Sequence, residues 1–153
     1  MSTNQNLPRG YRNNNPLNIR YSTANQWKGK VLPNMDRNNT FEQFISLAYG
    51  YRAALSLLRT YIRKYGCNTI GKIISKWAPE TENNTQAYIN HVCNFVTNLG
   101  TPITADTVVT TGSRDLLCKL AYAMSIVENG NTPETREAGL PNMDIINEAW
   151  SLL

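Results

Sequence analysis

The clearest periodicity in the chain lies over residues 46–64. Ala48, Tyr51, Leu55, Leu58 and Ile62 step by three and four, which predicts an amphipathic helix capped by Ser46 and stopped at Tyr65-Gly66. Thr40-Phe-Glu-Gln43 is a second possible start, since it reads as a capping box. Thr69 opens a short helix through Ile70, Ile73, Ile74 and Trp77, and Pro79 ends it. Asn84 or Thr85 caps the next helix, with Tyr88, Val92, Phe95 and Val96 inward and Gly100 as its stop. Residues 101–112, rich in Thr and Val, form a connector with extended character. Ser113 then caps a helix whose Leu117, Leu120, Ala121, Met124 and Val127 share one face, with Gly130 just past its end. A loop follows, with one helical turn from Pro133. Asn142 caps a last helix holding Met143, Ile146, Ala149, Trp150 and Leu153.

The first 45 residues have a different pattern. Leu17, Ile19 and Tyr21 alternate with Asn18 and Arg20, the signature of a short strand. A turn near residues 22–25 and a second over LPNMDRNN lead to Thr40 and FEQFI. The expectation is a small β-meander of two or three strands. The architecture is therefore mainly α (α+β). A polar arm occupies residues 1–12, and a single domain occupies 13–153, with a β-lobe over 13–45 and a helical lobe over 46–153.

A length of 153 residues fits one domain with a real core, and 41% apolar against 17% charged residues is a globular composition. No apolar run approaches the roughly 20 residues of a membrane span. The segment MSTNQNLPRGYRNNN has no apolar h-region, so no secretory signal is visible. Cys67, Cys93 and Cys118 are odd in number and widely spaced, which argues for reduced thiols. His91 is the lone histidine, and neither a zinc site nor a histidine-based triad is marked out. No metal and no cofactor are expected. Charge is uneven: residues 1–76 hold 12 Lys or Arg and 2 acids, residues 77–153 hold 3 and 9, and the net is +4. The basic half suits a polyanionic partner, or is a solvated face balanced by the acidic half.

Glu128 is the residue that most changes the picture. It lies on the apolar face of its helix, in the last turn. Burial disfavours its charge there, and so does the negative end of the helix dipole. Such a carboxyl has a raised pKa and can donate a proton near neutral pH. The plain alternative is a solvated Glu ahead of a Gly cap.

Several motifs occur together: RNNNPLNIR at 12–20, Trp27-Lys-Gly29, Phe41, Phe44, Gly50-Tyr-Arg52-Ala53, Thr69-Ile70, Ile73-Ile74, Trp77-Ala-Pro79, Glu82-Asn83, Thr85, Tyr88-Ile89 and Glu128-Asn-Gly130. Over roughly residues 9–130 the chain thereby resembles a phage-associated family labelled structural protein P5, which has a lysozyme-like fold. It is also similar, more loosely, to glucosaminidases and lytic transglycosylases of the lysozyme superfamily. Their general acid ends a helix at Glu-Ser-Gly, and a β-lobe with Asn-Asn…Ile and Trp-Lys-Gly follows. Here Asn14-Asn15…Ile19 and Trp27-Lys28-Gly29 come first and Glu128-Asn-Gly130 comes last, an order that looks circularly permuted.

The resemblance implies a peptidoglycan glycosidase, either a muramidase or a lytic transglycosylase. It would cleave β-1,4 bonds, with Glu128 protonating the leaving oxygen. A hydrolase needs a second carboxylate about 5–9 Å away. Asp36 and Glu82 are the candidates, with Glu42 behind them. Their plain alternatives are a turn residue for Asp36 and a first-turn helix acid for Glu82. Asn14, Asn15 and Asn18 are candidates to hold sugar hydroxyls, with turn chemistry as the alternative. Arg20 is a candidate to steer a peptide carboxylate. Tyr61, Trp77 and Tyr88 are candidates to line a saccharide cleft, with core packing as the alternative, favoured for Trp77. Arg52 is expected to pair with an acid.

The partners so implied are peptidoglycan glycan strands and other virion or delivery-machine proteins. The implied setting is synthesis in the cytoplasm of a bacterial host and action at the cell wall or in a virion. A virion or wall-binding protein with the same fold and no turnover is the second reading. A nucleic-acid module using the basic N-terminal half is the third; it lacks a recognition motif, and the 46–64 helix concentrates much of its basic charge in the short cluster Arg59 to Lys64.

Overall fold

A computed structural model describes residues 6–153. Among the described residues the protein forms seven α-helices: α1 (Arg9–Arg12), α2 (Leu47–Tyr65), α3 (Ile70–Trp77), α4 (Thr85–Asn98), α5 (Arg114–Asn129), α6 (Pro133–Glu137) and α7 (Met143–Ser151). One 3₁₀ turn spans Arg37–Asn39. Among the described residues no helix is long and apolar enough to cross a membrane.

The helical lobe follows the periodicities of the sequence. Ser46, Thr69 and Asn142 accept backbone N–H bonds as N-caps, and Asn84 rather than Thr85 caps α4. Ser113 starts α5 without a side-chain cap, because its hydroxyl accepts from Thr110 N instead. The single turn from Pro133 is α6, closed by a reciprocal Thr132–Thr135 capping box. α2 packs mainly on α7 and also on α5, while α4 rests on α5 and α3 on α4. Leu55 and Leu58 of α2, Ile73 of α3, Leu120 and Met124 of α5 and Ile146 of α7 are fully buried in the resulting core. The 101–112 connector docks on the start of α3 through the single bridge Thr69–Val108.

The expected N-terminal β-lobe does not form. Among the described residues there is no strand, and residues 13–45 are coiled loops joined by two single bridges, Arg20–Phe41 and Lys30–Phe44. The alternation itself was sound, since Leu17 and Ile19 are both buried. However, Asn14 (φ 53°) and Asn18 (φ 54°) sit in the left-handed region, which Asn tolerates and an extended strand does not allow. Asn15 replaces a ladder with its side chain. Its Nδ2 donates to the carbonyls of Ile19 (2.9 Å) and Glu42 (3.0 Å), and its Oδ1 accepts from Ile19 N.

Residues 1–5 of the expected arm lie outside the described residues. Arg9–Arg12 is a helical turn with Tyr11 buried beneath it. The loops are set tightly on α2: a Cβ at Gly50 would collide with the Asn14 carbonyl oxygen.

Candidate functional site

Four elements converge on Glu128. α5 delivers it in its last turn, so the carboxylate meets the negative helix end. Tyr88 of α4 donates its hydroxyl to Oε2 at 2.9 Å. Asn18, from the N-terminal loop, donates Nδ2 to Oε1 at 3.2 Å across 110 residues of sequence. Trp77, the last residue of α3, also interacts with the carboxyl. Burial pushes the Glu128 pKa up, and the hydrogen bonds from Tyr88 and Asn18, with the nearby Trp77 side chain, only partly oppose it. The Tyr88 hydroxyl is pushed well above its ordinary value by its own burial and by the neighbouring carboxylate.

Asn129, directly after Glu128, fixes the seam. Its Nδ2 donates to Pro16 O (2.7 Å) and to Ser125 O (3.0 Å), which holds the loop that carries Asn18. Gly10 closes over this seam, and any Cβ there would collide with the Asn129 Oδ1.

Glu128 lines a cleft of about 340 Å³. Asn18, Arg20 and Phe41 border it from the loops, and Tyr61, Trp77, Glu82 and Asn83 from the helical lobe. The cleft thus gathers six of the residues singled out from sequence: Glu128, Glu82, Asn18, Arg20, Tyr61 and Trp77. Tyr88 stands behind Glu128, 6% exposed. Trp77, a cleft candidate for which core packing was favoured, is half-buried and borders the cleft, with its ring centroid 6.1 Å from that of Tyr61.

The remaining candidates lie elsewhere. Asp36 sits away from the cleft in a polar clasp. Arg9 holds it through Nε (3.0 Å) and Nη2 (2.7 Å), Asn13 donates to Oδ1 at 3.0 Å, and Phe41 N donates to Oδ2 at 2.9 Å. Burial raises its pKa, but these bonds outweigh it and bring the value down to about 2. Asn14 donates to Phe44 O at 3.0 Å, and Asn15 is fully buried, so both amides serve the loop framework. Glu42 is buried against Lys30 Nζ at 3.1 Å. Arg52 donates to the Leu152 carbonyl at 3.0 Å rather than to an acid.

The sequence reading quoted Asn129, Phe41 and Asn83 only as motif positions and gave them no role in the site. Asn129 and Asn83 each directly follow a singled-out glutamate, in Glu128-Asn-Gly130 and Glu82-Asn83, and that adjacency was the available signal. Among the described residues no group of three or more His, Cys, Asp or Glu is placed to hold a metal ion.

This arrangement can protonate a leaving group. It presents a carboxyl of raised pKa in a cleft, with two donors ready to stabilise the carboxylate once the proton has left. No protein-family model matches the chain. Over 88 residues it is 49% identical to Protein P5 of Pseudoalteromonas phage PM2, a match that takes in 56% of this chain and 54% of that protein. The chain therefore spans about half the length of this curated relative, and its similarity is to a phage protein.

Proposed function

We propose that the chain is a peptidoglycan-degrading glycosidase of phage origin, with a lysozyme-like arrangement and Glu128 as its general acid. The observation that carries this reading is the cleft-lining Glu128, buried enough to raise its pKa and held by Tyr88 and Asn18. The Asn18–Glu128 contact supports the permuted order of parts, because it joins the early Asn-rich loop to the late Glu-Asn-Gly helix end.

Asp36 is engaged by Arg9 and does not line the cleft, which favours a single-acid lytic transglycosylase over a hydrolase that uses Asp36. Glu128 gives its proton to the glycosidic oxygen as the C1–O bond breaks. The sugar's own 6-hydroxyl then attacks C1 and returns its proton to Glu128, so no water is consumed. Glu82, exposed at the rim of the same cleft, is the remaining partner for a hydrolytic route.

Mass analysis of soluble products from purified peptidoglycan, with wild type and Glu128→Gln side by side, tests this. Anhydro-muropeptides from wild type alone are expected. Reducing-end products would shift the route to hydrolysis and make Glu82 the next substitution. Equal activity in both proteins would remove Glu128 as the acid. A folded wild type that binds the wall and releases nothing would leave a wall-binding or virion protein without turnover.

A further inference from the structure

A second hollow, of about 370 Å³, adjoins the cleft across Phe41. Phe41 borders the cleft, the Arg9 guanidinium lies 4.8 Å from its ring centroid, and its N–H donates to Asp36. Arg9 and Asp36 both line the second hollow, together with Arg12, Arg37, Asn13 and Gln43. Three guanidinium groups therefore share one concavity with a single carboxylate.

The bonding inventory separates the framework from what is left over. Asp36 neutralises Arg9. The amides are engaged with one another and with the clasp: Gln43 Nε2 donates to Asn13 Oδ1, Asn13 Nδ2 donates to Asp36, and Gln43 Oε1 accepts from Met35 N. Arg12 and Arg37 are exposed and have no ion pair among the described residues.

The backbone at Arg37 is nonetheless held in place. Its carbonyl accepts from Arg9 Nη2 (3.1 Å) and from the Thr40 hydroxyl (2.9 Å). The turn that carries it continues through Asn38 (φ 60°) and Asn39 (φ 49°), both in the left-handed region. Two exposed guanidiniums at one hollow give it a positive potential, and each guanidinium fork matches a pair of oxygens of a carboxylate or phosphate.

We propose that this hollow is an oxyanion subsite, which takes a carboxylate or phosphate group carried on the same polymer that the cleft binds. The proposal rests on the glycan reading of the cleft. It adds that recognition extends past Phe41 to an anionic substituent, with Arg12 and Arg37 as the ligand-binding residues.

The test uses the Glu128→Gln protein, so that no ligand is cut, with and without the double change Arg12→Gln/Arg37→Gln. Binding is measured by titration calorimetry to three probes: chitohexaose, a muramyl tetrasaccharide bearing stem-peptide carboxylates, and inorganic phosphate. Both arginines are exposed, so the double variant is expected to melt with the parent protein. The corresponding Lys/Lys variant keeps the charge without the fork and should recover part of the binding.

The expected result is a loss of about tenfold or more for the carboxylate-bearing fragment, with chitohexaose unchanged. A loss confined to phosphate would sustain the subsite and name phosphate as its group. Equal binding of both anions by both proteins overturns the subsite, while chitohexaose binding would keep the cleft reading intact. Failure of every glycan to bind would overturn the cleft reading instead, and the phosphate arm would then decide the hollow alone.

Discussion

The surroundings of Asp36 and Glu128 meet at Phe41, yet they drive the two carboxyls in opposite directions. Both side chains are withdrawn from water, and burial alone would raise both pKa values. Asp36 is given a full opposite charge, two oxygens' worth of guanidinium N–H and a backbone donor. Glu128 is given neutral donors and the wrong end of a helix dipole. Burial therefore does not decide what a carboxyl is for, and the charge of its partners does. One group is held as an anion that builds the loop, and the other has its pKa raised by burial.

The largest expected effect is on turnover. Glu128→Gln should lower peptidoglycan release by roughly 10²–10⁴-fold, the usual contribution of a general acid, while Asp36→Asn should leave activity per folded molecule unchanged. A comparable activity loss in Asp36→Asn, measured at a temperature where it is fully folded, would break the contrast.

Stability should show the reverse. Asp36→Asn leaves Arg9 without its counter-charge and is expected to cost about 2 kcal/mol, or roughly 4–8 °C in Tm. This lies below the range for a fully buried pair because Arg9 keeps 29% of its side chain exposed. The sign with pH follows from the lowered pKa. The stabilisation from Asp36 is present above its ordinary value of 3.8 and is lost as pH falls toward about 2, so the difference between the two proteins should close over that window in acid melts.

Tyr88→Phe sharpens the other side. It removes a donor that favours the Glu128 carboxylate, so the basic limb of the pH–activity profile should move to higher pH, with roughly tenfold or less lost at the optimum. An unmoved limb would mean that the bond to Tyr88 does not tune the acid.

The smallest effect is a gain. Because the folded pKa of Glu128 is raised, its ionisation opposes folding above its ordinary value of 4.5. Glu128→Gln should therefore raise Tm at pH 7 by on the order of 1–3 °C, and the gain should vanish near pH 4, where the wild-type carboxyl is protonated.

How much of this was readable in advance differs between the same two regions. The helical lobe was legible because its information is local. Ser46, Thr69 and Asn142 announce helix starts, and the three- and four-residue spacing of Leu55, Leu58, Leu120 and Met124 names the buried faces. Glu128 could be singled out for the same reason, from its place on an apolar face at a helix end. The N-terminal loops misled because their backbone is satisfied by asparagine side chains. Alternating Leu17 and Ile19 suggest a strand, whereas the left-handed Asn14 and Asn18 and the amide of Asn15 make a loop of equal burial. Nothing local to Asp36 says that Arg9, 27 residues away, will hold it. Nothing local to Asn18 says that it will meet Glu128.

The Asn18–Glu128 contact also sets a clock. One donor is made early in synthesis and the acid 110 residues later. At roughly 5–20 residues per second, the ribosome separates the two by on the order of ten seconds. Throughout that interval the nascent chain carries the loop but has no acid for it to orient. The proposed acid thus becomes available to Asn18 only after α2, α3 and α4 have been made, while α7, on which α2 mainly packs, is still to come.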